Sequence, residues 1–164
     1  MELKHREITE QVVQAFYKVY QLLGHGFLEK VYENSLAIEL RGRGLSVQQQ
    51  APISVLYDAQ VVGEYFADLL VEGCVIVEIK AAQALTDEHF AQLINYLKAT
   101  GTEVGLLLNF GPKPEIRRKV FETAKKKASG EEALRGDPRT AVRVRSPRAI
   151  RDSEGQDGAD NANC

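Results

Sequence analysis

Cysteine is scarce in this sequence of 164 residues. The two cysteines, Cys74 and Cys164, are far apart, one inside an apolar run and the other at the last position. This pattern gives neither a disulfide framework nor the ligand spacing of a zinc site. It therefore favours a protein of the reducing cytoplasm.

Long apolar runs are also missing. No stretch approaches the ~18 consecutive apolar residues of a membrane helix. The first residues, Met1 to Arg6, are polar and no apolar core follows them, so we expect neither a secretory signal nor a membrane partner. No internal repeat is visible, and no glycine-rich phosphate loop follows the first predicted strand.

Charge is distributed unevenly along the chain. Residues 1–112 carry 8 basic and 14 acidic residues, whereas residues 113–151 carry 13 basic and 5 acidic ones. A basic segment beside an acidic domain suits a polyanion such as nucleic acid, although a solvated tail gives the same pattern. Apolar periodicity is lost after Ser129, which predicts one domain over residues 1–128 and a disordered tail over residues 129–164.

Apolar spacing predicts three helices and up to five strands. Spacings of three and four predict helices over roughly Arg6–Leu23, Leu28–Arg43 and Asp87–Thr100. Extended segments predict strands over Val47–Tyr57, Val61–Val71, Cys74–Lys80 and Val104–Phe110, with a last edge strand over Ile116–Phe121. The order α-α-β-β-β-α-β(-β) predicts an α/β fold in which helices flank a mixed central sheet. Pro52 favours either an edge position or a bulge in the first strand. The continuous apolar third strand is expected to be central.

Three residues around the third strand form the main candidate site. Glu78 and Lys80 are two residues apart on a strand, so both point to one face. If the second and third strands pair around Glu72-Gly73, Asp68 lies near the level of Glu78. Carboxylates are suitable ligands for Mg²⁺, and a lysine can position water and stabilise charge on a reacting phosphate. Solvated surface charge is the alternative, but unpaired charge is costly on the most apolar strand of the chain.

The helix after this strand carries a second group of polar residues. His89, Gln92 and Tyr96 lie on one side of it. The Gln92 amide and the Tyr96 hydroxyl could bind phosphate oxygens or orient Lys80. The alternative is an amphipathic helix with a tyrosine at the core rim, and His89 is expected to be a rim residue.

A third motif, Gly26-x-x-Glu29-x-x-Tyr32, lies where the first two helices meet. Taken alone, Glu29 is a carboxylate that favours a helix N-terminus, and Tyr32 is a packing residue. The motif resembles the one that names the GxxExxY protein family, which is assigned to the PD-(D/E)XK nuclease superfamily. The resemblance extends from about Arg6 to Phe121 and includes Asn109-Phe110-Gly111. It implies a restriction-endonuclease-like core.

The resemblance also implies roles for single residues. Six positions match superfamily motifs, namely Glu29, Asp68, Glu78, Lys80, Gln92 and Tyr96. By this resemblance, Asp68, Glu78 and Lys80 are catalytic, and Glu29, Asp68 and Glu78 are metal ligands, with Glu29 either in direct contact or acting through another group. Gln92 and Tyr96 resemble the Q-x-x-x-Y element of the exonuclease-like branch. Ala67 departs from the motif, because the superfamily's name has proline there.

Three hypotheses follow. The first is a Mg²⁺-dependent phosphodiesterase that acts on DNA, with RNA as the second choice of substrate and Mn²⁺ as a substitute metal. In this hypothesis the basic segment attracts phosphates. Its first basic residues are Lys113, Arg117, Arg118 and Lys119. The second is a nucleic-acid-binding or assembly module that does not cut, and the third is an interaction domain unrelated to nucleic acid. The oligomeric state is left open, a homodimer included.

Overall fold

The computed structural model describes residues 4–122. They form α1 (Arg6–Leu23), α2 (Glu29–Gly42), β1 (Val47–Tyr57), β2 (Gln60–Val71), β3 (Val75–Lys80), α3 (Asp87–Thr100), β4 (Val104–Phe110) and β5 (Pro114–Val120). The predicted element order is confirmed. The last strand begins two residues earlier than expected and ends at Val120. The disordered tail predicted for residues 129–164 lies outside the described residues.

The five strands form one sheet in the order β1-β2-β3-β4-β5. Strands β3 and β4 are parallel, and the other neighbouring pairs are antiparallel. The single parallel pair needs a crossover, which α3 provides. Strand β1, which contains Pro52, is an edge strand as predicted. In β3 the five residues from Val75 to Ile79 are buried, as expected for a central strand covered on both faces.

Helices cover both faces of this sheet. On one face α1 and α2 contribute Phe16, Leu36 and Leu40, which pack with Leu106 and Leu108 of β4. On the opposite face Leu93 and Leu97 of α3 pack with Ile76 and Leu107. The alternation of Leu106, Leu107 and Leu108 between the two cores follows from the period of two in a strand. The structure is thus the predicted α/β arrangement of a mixed sheet between helices.

A buried tyrosine fixes the loop between the first two helices. Tyr32 is fully buried, and its ring stacks on Phe110 with the ring centroids 4.2 Å apart. Its hydroxyl donates to the carbonyl oxygen of Gly24 at 2.8 Å and accepts from the N–H of Phe27 at 3.2 Å. Gly26 lies inside this loop with φ at +112°, a conformation that L side chains rarely adopt. The tyrosine therefore determines where α2 starts, and Glu29 is its first residue.

The helices of residues 4–122 are too short or too polar to cross a membrane.

Candidate active site

The carboxylates of Asp68 and Glu78 meet where β2 and β3 separate. The ladder between these strands runs from Val71↔Val75 to Leu69↔Val77. Beyond it, the N–H of Asp68 donates to Oε1 of Glu78 at 3.3 Å, and the N–H of Ile79 donates to Oδ2 of Asp68 at 2.8 Å. Each carboxylate thus bonds a backbone N–H of the opposite strand. Both side chains lie at one level, as the hairpin around Glu72-Gly73 predicted.

Burial shapes the protonation of this pair. Glu78 is only 2% exposed, and burial, followed by the neighbouring charge of Asp68, raises its pKa to about 8. Burial also raises the pKa of Asp68, against the hydrogen bond from Ile79 that lowers it. The positive charge of Lys80 lowers the pKa of both groups without outweighing burial. Burial makes the ionised forms of these two neighbouring carboxyl groups unfavourable. A cation bound beside them would therefore be stabilising.

Lys80 is oriented by the helix that covers this face. Its ammonium group donates to Oε1 of Gln92 at 3.0 Å. The amide nitrogen of Gln92 in turn donates to the hydroxyl oxygen of Tyr96 at 2.9 Å. Within residues 4–122 no ion pair of 4.0 Å or less joins Lys80 to Asp68 or Glu78. The lysine is therefore held beside the carboxylates and not neutralised by direct contact with them.

Glu29 lies on the other side of the carboxylates, on the wall of a cleft. The cleft has a volume of about 530 Å³. Its walls come from the start of α2, from β1, from β2 and from the residue after β3, and include Glu29, Glu33, Gln50, Asp68 and Ala81. A second groove, of about 840 Å³, lies between α3 and the β1–β2 hairpin and is lined by Tyr65, Gln92 and Tyr96 among others. The site therefore has a depression on each side.

His89 does not join the site residues. Its Nδ1 accepts from the N–H of Thr86 at 3.2 Å, and its own N–H donates to Oγ1 of Thr86 at 3.4 Å. These reciprocal bonds form a capping box that begins α3. The expectation of a rim residue is consistent with this role.

The four basic residues predicted to contact phosphates lie on the edge strand β5 or directly before it. Lys113 precedes β5 at the end of the sheet where Lys80 lies opposite Asn109. Arg117 is paired with Leu107 and so shares the face of Glu78, whereas Lys119 is paired with Gly105 at the far end. Arg118 points to the other face, and its guanidinium donates to the carbonyl oxygen of Lys4 at 2.6 Å. By register, Lys113 is thus near the Lys80 end of the sheet and Arg117 is on the Glu78 face.

A buried asparagine fixes the loop that follows Lys80. Asn109 is fully buried. Its Oδ1 accepts from the N–H of Ala82 at 2.9 Å, and its Nδ2 donates to the carbonyl oxygen of Ala82 at 3.0 Å. Glu115 accepts from the N–H of Leu85 at 3.1 Å and extends the same network. The loop is thus held to β4 and β5, and it determines how α3 approaches Lys80.

Gly111 allows this close approach, which gives a first prediction. A Cβ at Gly111 would overlap the carbonyl oxygen of Ala82. We expect Gly111→Ala to lower the free energy of unfolding by about 1–3 kcal/mol, as overpacking typically does. Urea denaturation measures this. Gly42→Ala is the control. Apart from its chain neighbours and the nearby backbone of its own helix, no atom lies within 4 Å of a Cβ there, so this substitution should not destabilise the protein. Equal effects of the two substitutions would contradict the assigned contact.

Sequence reasoning missed several residues around the site. Glu33, Gln50, Asn109 and Glu115 all contact the site or its supporting loop, and none was singled out for a role. Only Asn109 had a signal, since it lies in the Asn109-Phe110-Gly111 motif. The others act through contacts between distant parts of the chain that no local spacing indicates.

The carboxylates of the candidate site can be compared with the ligands that a metal ion requires. Among the described residues, no group of three or more His, Cys, Asp or Glu side chains is close enough to hold a metal ion. The predicted set of Glu29, Asp68 and Glu78 is thus not gathered as three ligands, and the role of Glu29 stays a prediction. Asp68 and Glu78 remain as a carboxylate pair, and Mg²⁺ commonly takes one or two protein carboxylates and keeps several waters. The residues present fit a hard divalent cation.

Comparison with known families agrees with this geometry. Residues 6–119 match a family described as the PD-(D/E)XK nuclease superfamily. The chain belongs to this superfamily. The match covers α1 to β5 almost completely and includes every residue of the candidate site. It does not distinguish the GxxExxY family within the superfamily. No curated protein and no solved structure matches the chain.

The PD-(D/E)XK assignment gives the site its general chemistry. At the level of the superfamily, the match supports at most nuclease activity on a nucleic acid substrate, and PD-(D/E)XK nucleases generally use divalent metals.

Proposed function

We propose that this PD-(D/E)XK protein is a Mg²⁺-dependent phosphodiesterase that cuts DNA, with Mn²⁺ as an effective substitute. The observation that carries the proposal is the carboxylate pair of Asp68 and Glu78, joined to backbone N–H groups of the opposing strands beside an oriented Lys80. We also place the protein in the cytoplasm, on the cysteine pattern alone.

Each site residue has a distinct task in this proposal. Asp68 and Glu78 would hold the metal, which when bound polarises a phosphoryl oxygen and lowers the pKa of a bound water. Lys80 positions the attacking water and stabilises negative charge on the reacting phosphate. Gln92 holds the Lys80 ammonium through its carbonyl oxygen, and Tyr96 holds the Gln92 amide in turn. Glu29 is a further acid on the cleft wall.

In this proposal a strand of nucleic acid lies across the surface around the site. The acidic cleft on one side and the groove beside Tyr96 on the other leave space on both sides of the reacting phosphate. Lys113 and Arg117 would attract flanking phosphates, and the support for this role is that one lies at the Lys80 end of the sheet and the other on the Glu78 face. Most of the basic segment, which extends to Arg151, lies beyond the described residues and would add non-specific attraction.

Metal binding and cleavage together test this function. We expect calorimetry to detect Mg²⁺ or Mn²⁺ binding, and cleavage of single-stranded, duplex or branched DNA that stops on chelation. Asp68→Asn should weaken metal binding by at least about tenfold, since it replaces a charged oxygen ligand by a neutral amide. RNA substrates in the same assay decide the choice of nucleic acid.

Two outcomes would redirect the proposal. Unchanged metal affinity in Asp68→Asn would mean that the ligands lie elsewhere. Nucleic acid binding without cleavage by the parent protein, with either metal present, would favour the non-cutting module.

A further inference from the structure

Strand β1 has an unusual backbone at Gln50. This residue has φ at +50°, in the left-handed region that side chains other than glycine rarely adopt. The ladder between β1 and β2 is continuous from Val47↔Val71 to Gln49↔Leu69 and resumes in the same register at Ala51↔Ala67. The missing pair is therefore Gln50 and Asp68. The distortion lies directly opposite the first acid of the site.

The side chain of Gln50 connects two carboxylates. Its Nε2 donates to Oε2 of Glu33 at 2.8 Å and lies 3.5 Å from Oδ1 of Asp68, at the outer limit for a hydrogen bond. An amide nitrogen has two hydrogens, so one can serve each carboxylate. Because both neighbours are acceptors, the nitrogen end of the amide must face them.

Glu33 gives this bridge a fixed anchor. It is a buried carboxylate, 4% exposed. Its Oε1 accepts from the ammonium of Lys30 at 2.8 Å and from Nε2 of Gln49 at 3.0 Å. With these donors satisfying one oxygen, the other is available to Gln50. The position of the Gln50 amide is therefore set from α2.

The oxygens of Asp68 are held from opposite sides. Ile79 of β3 donates to Oδ2, and Gln50 of β1 reaches Oδ1. Without Gln50 only one of the two oxygens would have a donor, and the carboxylate could rotate about its bond to Cβ. Gln50 also lies on the wall of the cleft that Asp68 faces. These contacts therefore limit how the Asp68 carboxylate can rotate relative to the cleft.

We propose that Gln50 is a positioning residue that links Glu33 to Asp68 and fixes the Asp68 carboxylate for metal binding. The inference rests on the proposed function, since it gives Asp68 the role of a ligand. This bridging role of the side chain also explains the left-handed backbone at Gln50. A regular β conformation would keep the ladder, whereas the conformation adopted here accompanies a side chain directed at two carboxylates. Unfavourable backbone conformations of this kind persist where the surrounding structure uses them.

The test compares two glycine substitutions that relieve the same backbone conformation. Asp58 also has φ at +50° and lies in the β1–β2 turn, away from the cleft. Asp58→Gly should keep or raise the melting temperature, because glycine adopts positive φ without steric cost. In Gln50→Gly the same relief is offset by loss of the donor to the buried Glu33 carboxylate, so its melting temperature should change little. Only Gln50→Gly should weaken Mn²⁺ binding in calorimetry, by about 10–100-fold, as loss of a partner behind a metal ligand typically does. Its kcat should fall while KM for the nucleic acid changes little.

Each result has a definite reading. Mn²⁺ affinity in Gln50→Gly equal to that of a parent protein that binds and cuts would overturn the proposal and leave the function intact. A parent protein that neither binds Mn²⁺ nor cuts would instead refute the proposed function. The crystal structure of Gln50→Gly then decides on Gln50 itself. An Asp68 side chain that changes rotamer supports positioning, and one that keeps its rotamer refutes it.

Discussion

Lys80→Ala is expected to abolish cleavage while leaving nucleic acid affinity nearly intact. The ammonium is one positive charge among many for binding, but it is the one that Gln92 holds beside the carboxylate pair. Removing a preorganised donor at the reacting group typically lowers kcat by about 10²–10³-fold. Single-turnover cleavage with metal present measures the loss, and filter binding with metal chelated measures the affinity.

A matched control separates charge from position. Lys18→Ala also removes one positive charge, but from α1, where Lys18 pairs with Glu39 at 2.9 Å. It should leave both cleavage and affinity close to those of the parent. Cutting at the parent rate by Lys80→Ala would show that hydrolysis does not depend on this site, and a non-cutting module would become the preferred function.

Glu78→Gln is expected to stabilise the metal-free protein at alkaline pH. The pKa of Glu78 is raised from 4.5 to about 8, mainly by burial and then by the charge of Asp68. The folded state therefore holds a proton that the unfolded state has lost between about pH 4.5 and pH 8. On this account the free energy of unfolding falls as pH rises through that range. Glutamine has no proton to lose, so above pH 8 the variant should exceed the parent by roughly 2–4 kcal/mol.

The measurement is urea denaturation across this pH range with a chelator present. Below pH 4.5, where Glu78 is protonated in both states of the parent, the two proteins should be nearly equally stable. Addition of Mn²⁺ at neutral pH should stabilise the parent more than the variant, since a ligand stabilises the state that binds it. A constant difference in stability at every pH would mean that Glu78 carries no pH-dependent penalty. Residues that lower stability but are needed for function are common at active sites.

Local rules predicted the parts of the site that lie close together in sequence. The period of two in a strand placed Glu78 and Lys80 on one face, and the turn at Glu72-Gly73 brought Asp68 to their level. In the same way, the spacing of four placed Gln92 and Tyr96 in hydrogen-bond reach of each other. Their proposed roles remain predictions, but their proximity follows from secondary structure and one hairpin.

Contacts between distant segments could not be predicted in this way. Gln50 belongs to a run of three glutamines that resembles an ordinary polar strand, and its left-handed backbone has no local signal. Its partners Glu33 and Asp68 are 17 and 18 residues away. The start of β5 at Pro114 was missed for a related reason, because Pro114 and Glu115 join the strand only by pairing with Phe110 and Asn109.

The order of the strands along the chain has a consequence for folding during synthesis on the ribosome. Helices α1 and α2 emerge first, yet they pack on Leu106, Leu108 and Phe110 of β4, which emerge far later. Strand β3 also lacks its parallel neighbour until β4 is made. A nascent chain that ends before Val104 would contain all six candidate site residues without the β4 surface on which the helices pack. Completion of β4 is therefore the step of translation at which the described arrangement of these residues can first form.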